Sequence, residues 1–407
     1  MEYRDVTARR KLCVIAVAVW MALLSVGVRL AEAGCTVAAI DGAASADGRP
    51  LVWKHRDTAS GNNTLVYTPA TSTRPWAYIQ VGAYQGLNAA GLAIGNSAAY
   101  NISGGNSAML IDWSLANAAT ARAVREAVYD EAASGADRLD YGDLSAQACL
   151  PFCGRDGGSG FLEVGSDGGV VSTLYEYDPA QRATGIVVRA NDAHLNADGT
   201  DDATTGGNRF YEAKSNLLAA AASGGVTLRD VFGAARFGDP GYDNPTRNSR
   251  WQADDIDTRS VMIAHGVGEG EDPRTATLWT ALGQPDYSCF VPVWVAAGHS
   301  LSSYLTSSDA GGGLAGRSWA LFGLRTGPGY DNYVNSFYAG LETNFVDAAL
   351  NARSRWLAHG FRAGEADAIT DEAAAAAWHT MNSMCAGPAG DLNRPPVLTA
   401  LDCATNG

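Results

Sequence analysis

Positive charge is what this chain has least of. Its 407 residues carry 29 Lys and Arg against 43 Asp and Glu, a formal net charge of −14 at pH 7. Nucleic acids and anionic membrane surfaces select basic faces, so the balance argues against both as partners and fits a protein kept soluble outside the cell. Long apolar runs are equally scarce. The longest, residues 12–28, is broken by Gly27 and stopped by Arg29, short of the ~20 residues that a bilayer span needs, and no stable membrane anchor is expected from it. No repeat of fixed period is visible, and no stretch has a disordered composition at scale. Histidine is rare, at 6 residues, and never falls at the spacing of a metal-binding helix.

What the sequence does have begins with a leader. Arg9-Arg10-Lys11, the apolar run and Ala31-Glu32-Ala33 form the charged, hydrophobic and cleavage regions of a secretory signal over residues 1–33, which predicts a secreted or periplasmic product. Arg9-Arg10 also allows a twin-arginine signal, although Lys11-Leu12-Cys13 matches one poorly. The cut after Ala33 leaves Gly34 in front of Cys35, so a second step, self-cleavage or trimming, is needed to make Cys35 the first residue. An N-terminal cysteine joins a thiol to an α-amine of pKa ~8, which makes one residue both nucleophile and base. The rival readings of Cys35 are a structural thiol and a lipoprotein anchor. Against the anchor, Glu32 stands where lipidation wants an apolar side chain.

Residues 34–407 read as one domain with an apolar fraction of 46% and a helical extension from about residue 311. After the leader and Cys35 are set aside, Cys149, Cys153, Cys289, Cys385 and Cys403 remain, an odd number that allows at most two disulfides. Cys149 with Cys153 and Cys385 with Cys403 are the favoured pairs, because both lie in loop-like sequence. Cys289, in an apolar run, reads as a small buried hydrophobe. Cys149 and Cys153 have no partner histidines for zinc, so neither a metal nor a cofactor is expected. His265, Glu269, Glu271 and Asp272 lie among glycines and read as a solvated acidic loop.

Periodicity gives strands at 36–40 and 51–54, a hairpin that sets Cys35 beside Lys54 to Asp57. Further strands fall at 78–82, 92–94, 160–164, 170–177, 185–191, 260–265, 276–280 and 291–295. Helical spacing marks 110–132, in one or two pieces, then 208–222, 227–232, 338–358 and 367–384. This order predicts two antiparallel sheets with helices on their outer faces.

Gly34-Cys35-Thr36, the Lys54-His55-Arg56-Asp57 cluster, Leu87-Asn88-Ala89-Ala90-Gly91-Leu92 and Arg189-Ala190-Asn191-Asp192-Ala193-His194 resemble the motifs of the N-terminal-nucleophile hydrolases. Within them the resemblance is to the choloylglycine hydrolase, acid ceramidase and isopenicillin-N acyltransferase group, with its C45-type linear-amide hydrolases. It implies an α+β fold, a four-layer αββα sandwich, and hydrolysis of small-molecule linear amides through a thioester on Cys35. An N-acyltransferase on the same scaffold, or a secreted or lipid-anchored binding protein without activity, are the alternatives. Asp57 matches the aspartate that orients the nucleophile and its amine. Asn191 matches the asparagine that donates to the oxyanion, with Asn96, offset by one residue from the family spacing, as a second candidate or a satisfied loop residue. Lys54 stands where the choloylglycine hydrolases and acid ceramidases carry arginine, which keeps a charge and loses a bidentate fork. Arg209 falls near a later family arginine and is either part of the site or a solvated helix start. His55 and His194 lie inside the motifs as possible pocket residues, not as required bases.

Overall fold

The computed structural model describes residues 35–58, 63–99, 107–134, 148–167, 170–176, 184–191, 207–236, 252–253, 256–308, 312–323 and 328–386. The leader, Gly34, His194 and Cys403 lie outside them. The hairpin that sequence alternation predicts is the centre of the first sheet. β1 (Cys35–Ile40) pairs antiparallel with β2 (Leu51–Thr58), and Cys35 is the register partner of Arg56. Outward from this pair lie β11 (Ile186–Arg189) on one side and β13 (Ile256–His265), β14 (Thr277–Leu282) and β15 (Val291–Val293) on the other, with β12 (Gln252–Ala253) beside β13. The second sheet runs β10 (Val170–Glu176), β9 (Ser159–Asp167), β8 (Ala148–Cys153), β6 (Ala93–Gly95), β5 (Gln85–Asn88), β4 (Tyr78–Val81) and β3 (Leu65–Thr68), with β7 (Ser97–Ala98) also on β8.

Strand alternation then sorts the layers. Val37, Ala39 and Val187 meet Cys149 and Phe161 of the opposing sheet. Ala38, Ile40, Trp53 and Val188 turn the other way, into a core shared with Phe210, Leu217 and Val231 of α3 (Gly207–Ala222) and α4 (Leu228–Arg236). The far face of the second sheet is covered by α1 (Ala108–Asn117) and α2 (Ala121–Ser134), through Leu110, Leu115, Val124 and Val128. Helices, sheet, sheet and helices make an α+β sandwich of four layers. The remaining helices, α5 (Ser303–Thr306), α6 (Leu314–Gly323), α7 (Pro328–His359) and α8 (Ala363–Ala386), pack over β14, β15 and the turns beside them. The Asn88–Gly91 turn is locked by its asparagine. Asn88 Oδ1 accepts from Ala90 and Leu92, and its Nδ2 donates to the Leu115 and Ala118 carbonyls. That motif fixes the end of α1.

Several sequence expectations change. The 110–132 segment is two helices separated at residues 118–120, and the 185–191 strand stops at Arg189. Residues 148–153, read as loop because of Pro151, are β8 instead. Proline is tolerated there because the β6 and β7 ladders stop on either side of it, at Phe152 and Cys149. This also removes the expected Cys149–Cys153 disulfide. Four residues along a strand separate the Cα atoms by about 13 Å at ~3.3 Å per residue, beyond the ~7 Å that a disulfide spans. Among the described residues Cys149, Cys153, Cys289 and Cys385 form no disulfide with one another, and Cys289 is fully buried as expected. Cys385 with Cys403 reaches outside the described residues.

The acidic loop is solvated only in part: Glu269 is exposed, Glu271 and Asp272 are half-buried, and His265 is buried. At the end of β13, His265 is 3% exposed and its Nε2 lies 2.8 Å from Asp47 Oδ2, while Arg353 of α7 donates to its Nδ1 at 3.3 Å. Arg353 Nη2 also reaches the Gly266 carbonyl at 2.5 Å and Glu271 at 3.4 Å. Glu271 is paired with Arg49 and accepts from the Gly268 amide. Burial, and then the Arg353 charge, push the His265 pKa down. Asp272 caps the short turn at Pro273–Thr275 through the Arg274 amide.

Candidate active site

The first residue of β1 sits at the end of a central strand, beyond the last pair with β11, where its atoms are open to other elements. Four side chains hold it. The Cys35 nitrogen donates to Asn191 Oδ1 at 2.8 Å. Its carbonyl accepts from Arg209 Nη1 at 3.1 Å and from Ser97 Oγ at 3.3 Å. Its Sγ accepts from the Lys54 ammonium at 3.6 Å. The residue is 5% exposed.

Lys54 reaches the thiol because residues 54 and 56 of β2 share the face that Cys35 occupies on β1. Its ammonium also donates to Asn96, at 2.6 Å to the carbonyl and 2.5 Å to Oδ1, and Asn96 Nδ2 donates to Ser107 Oγ at 2.6 Å. Lysine is otherwise nearly absent from this chain, at positions 11 and 214 only. Burial lowers the Lys54 pKa, the adjacent Cys35 sulfur raises it in part, and Arg56 lowers it again.

Asp57 lies on the opposite face of β2 and is fully buried. Its Oδ1 accepts from Thr258 Oγ1 at 2.8 Å and its Oδ2 from Arg209 at 3.3 Å. Thr258 is aimed there by an irregularity in β13. The register runs Thr258 to Asp57 and Ser260 to Arg56, so Arg259 is an extra residue and turns Thr258 and Ser260 to opposite faces of the sheet. No pattern in the sequence near residue 57 points to a threonine two hundred residues away.

Arg209 is 2% exposed, so it is not a solvated helix start. From the first turn of α3, Nη1 contacts the Cys35 carbonyl, Asp57 and, at 3.4 Å, Thr36 Oγ1, while Nη2 donates to Asn191 Oδ1 at 2.7 Å. A planar guanidinium makes these contacts together because its donors are fixed in one fork. Asp57 is therefore tied to Cys35 through Arg209.

Asn191 follows β11 with φ of 83°, the one non-glycine residue with positive φ among the described residues. Asparagine tolerates this conformation better than other side chains do, and the turn brings its amide over the Cys35 nitrogen. Two donors, Cys35 N and Arg209 Nη2, meet its oxygen, which fixes the amide orientation. The NH₂ group donates to the Ala98 carbonyl at 2.9 Å, and the backbone N–H donates to Ser97 Oγ at 3.1 Å. The oxygen of Asn191, and not its NH₂, thus faces Cys35 in this state.

Cys35, Lys54, Asp57, Asn96, Asn191 and Arg209 are brought together in one place. His55 is not part of it. Its ring meets Trp53 edge-on at 5.1 Å, on the helix side of β2. Sequence reasoning missed Ser97, Ser107 and Thr258, which touch the site from distant elements, and gave no separate role to Arg56, although its i+2 relation to Lys54 puts both side chains on one face. Among the described residues no three His, Cys, Asp or Glu side chains converge as a metal-ligand set, and no helix is long and apolar enough to cross a membrane.

No protein-family model and no curated protein matches the chain. Among solved structures, it is similar to penicillin V acylase from Agrobacterium tumefaciens, with 14% identity and a TM-score of 0.40 over 64% of this chain and 86% of that one. It is also similar to two variants of conjugated bile acid hydrolase from Clostridium perfringens, with 11% and 12% identity and TM-scores of 0.38, over 61% of this chain and 89% of each of those.

Proposed function

We propose that this chain is a thiol hydrolase of linear amides, secreted through a cleaved leader and active once Cys35 is its first residue. The observation that carries the reading is the hold on Cys35, whose nitrogen is fixed by Asn191 Oδ1 while its sulfur is fixed by the Lys54 ammonium. A free α-amine that donates one N–H to Asn191 keeps its lone pair available, which is what a base for the adjacent thiol requires.

The thiol proton passes to the α-amine as Sγ bonds to the amide carbonyl. The α-ammonium then protonates the leaving nitrogen, the C–N bond breaks, and the acyl group remains on sulfur as a thioester. Water, deprotonated by the same amine, hydrolyses the thioester to a carboxylic acid and restores the thiol. Arg209 and Asp57 hold the amine end of Cys35 in place. Oxyanion stabilisation falls to the amide NH₂ of Asn191, with Asn96 as the second candidate. At rest these groups donate to the Ala98 carbonyl and Ser107 Oγ, so the substrate oxygen competes with a neutral partner for them.

In maturation the amine is still an amide, so the thiol proton ends on the Cys35 nitrogen as the Gly34–Cys35 C–N bond breaks. Cys35 attacks the Gly34 carbonyl, the peptide shifts from nitrogen to sulfur, and hydrolysis releases the preceding segment and frees the amine. The test is intact-mass analysis of protein expressed from the full coding sequence, before and after incubation with a panel of N-acyl amides. A wild type beginning at an unmodified Cys35, with a transient acyl adduct, is expected. A diacylglycerol adduct on Cys35, or no amide turnover, would remove the reading. Loss of Gly34 from Cys35→Ala as readily as from wild type would remove self-processing alone.

A further inference from the structure

On the thiol side of β2, a second cation stands next to Lys54. Arg56 is the register partner of Cys35, which sets the two Cα atoms roughly 5 Å apart, and strand alternation turns its side chain to the face that carries the thiol. It is 8% exposed. The Tyr84 ring covers both charges, 5.5 Å from the Arg56 guanidinium carbon and 5.6 Å from the Lys54 nitrogen, and Arg56 donates to Asn63 Oδ1. Gly82, with φ of 59°, leaves the room that this requires, since a Cβ there would lie 3.2 Å from the guanidinium carbon. The bulge in β13 turns Ser260 to the same face, where Gln85 of the opposite sheet donates to it at 3.4 Å. Asp57, the carboxylate of the site, is on the other side of the strand with Arg209 and Thr258.

The two sides of β2 have different places in the reaction. Proton delivery comes from the Cys35 nitrogen, held with Asn191, Arg209 and Asp57, so the leaving amine departs toward that group. The acyl group stays on sulfur, on the side of Lys54 and Arg56. We propose that Arg56 selects substrates whose acyl part ends in an anionic group, half-amides of dicarboxylic acids. The proposal rests on the amidase reading of the Cys35 site. A positive field on the acyl side favours such an acyl chain over a neutral one and does little for a charge on the leaving group.

The experiment compares glutaryl-p-nitroanilide, with a carboxylate on the acyl side, its neutral counterpart pentanoyl-p-nitroanilide, and pentanoyl-4-aminobenzoate, with the carboxylate on the leaving side. The quantity read is the ratio of kcat/KM between them. Wild type should favour the glutaryl compound over the pentanoyl anilide by about tenfold or more. Arg56→Met should collapse that ratio and Arg56→Lys should restore most of it, with circular dichroism and thermal melts reporting whether each variant is folded. A ratio near one in wild type, a ratio unchanged in a folded Arg56→Met, or a preference confined to the leaving-side carboxylate would overturn the proposal and leave the amidase reading standing. Calorimetric binding of glutaryl-p-nitroanilide to Cys35→Ala, with and without Arg56→Met, separates the opposite case. Binding that depends on Arg56 in a protein that hydrolyses none of the three compounds would keep the anion site and remove the amidase. Equal binding by both proteins would overturn the anion site.

Discussion

The paired strands β2 and β13 carry a charge cluster at each end, half-buried at His265 and buried at Cys35, and the two clusters are built on different principles. At the His265 end, Asp47 meets His265 and Arg49, and Glu271 meets Arg49 and Arg353, so opposite charges neutralise one another across three parts of the chain. At the Cys35 end, Lys54, Arg56 and Arg209 gather with Asp57, which pairs with Arg209, and their other contacts run to the backbone, to asparagine amides and to a thiol. A compensated cluster fastens the C-terminal helices to the sheet. The cations gathered about the thiol and Asp57 set a local potential there, which is the arrangement expected where chemistry is done.

The largest effect should come from Cys35→Ala, which removes one sulfur from the thiol end and should lower amide hydrolysis by at least ~10⁴-fold while leaving the melting temperature close to that of wild type. Substantial remaining turnover would move the chemistry elsewhere. The opposite outcome is expected from Arg353→Met. Removing Arg353 leaves the Gly266 carbonyl and His265 Nδ1 without this donor while Glu271 keeps Arg49, at a cost of about 1–3 kcal/mol in urea unfolding, with kcat per folded molecule unchanged. A fall in kcat without loss of stability would show that the two ends are coupled rather than separate.

Asn191→Ala should lower kcat by about 10²-fold, as expected when one donor to a developing oxyanion is lost. It should also loosen the Cys35 nitrogen, so the apparent pKa on the kcat/KM profile should move with it. An unaltered kcat would pass the oxyanion to Asn96 or to a backbone group.

The smallest effects are in pH, and they have a different window at each end. The folded-state pKa of His265 is depressed below its ordinary 6.5, so its stabilising contribution is complete above 6.5. It is lost as the pH falls from there through the folded value, because the unfolded chain takes up a proton that the folded one resists, by at most ~1.4 kcal/mol per pH unit. Lys54 is likewise depressed, from 10.5, and its contribution is complete above 10.5 and lost as the pH falls through its folded value. His265→Gln should flatten the acid side of a stability profile and Lys54→Met the alkaline side. The reverse pattern would exchange the assignments.

The parts of this molecule that are local were legible from residue order. The β1–β2 hairpin follows from alternation and a turn-rich linker, and it alone places Cys35 against residues 54–57. The helices at 207–222 and 228–236 follow from apolar spacing, the second also from Thr227 and Asp230, which cap each other's amides at 2.8 and 3.2 Å. β8 was not legible because Pro151 argues for a loop, and the break between β6 and β7 that makes a proline acceptable is a property of the partner strands. His265 and Glu271 of the acidic loop were misread for the same reason, since their partners, Arg49 and Arg353, come from elements far away in sequence.

By itself the sequence determined the alternation of sheets and helices, the placing of a cysteine at the start of a strand, and a short set of polar residues near it. It did so because strand and helix periods and turn chemistry act over a few residues. Only the tertiary structure decided what each polar residue does. It turned the oxygen of Asn191 toward Cys35, led Asp57 to Cys35 through Arg209, and set Lys54 and Arg56 on the thiol side with Asp57 on the other. Those outcomes depend on which faces meet and on one extra residue in β13, and such long-range register leaves no mark on the residues it positions.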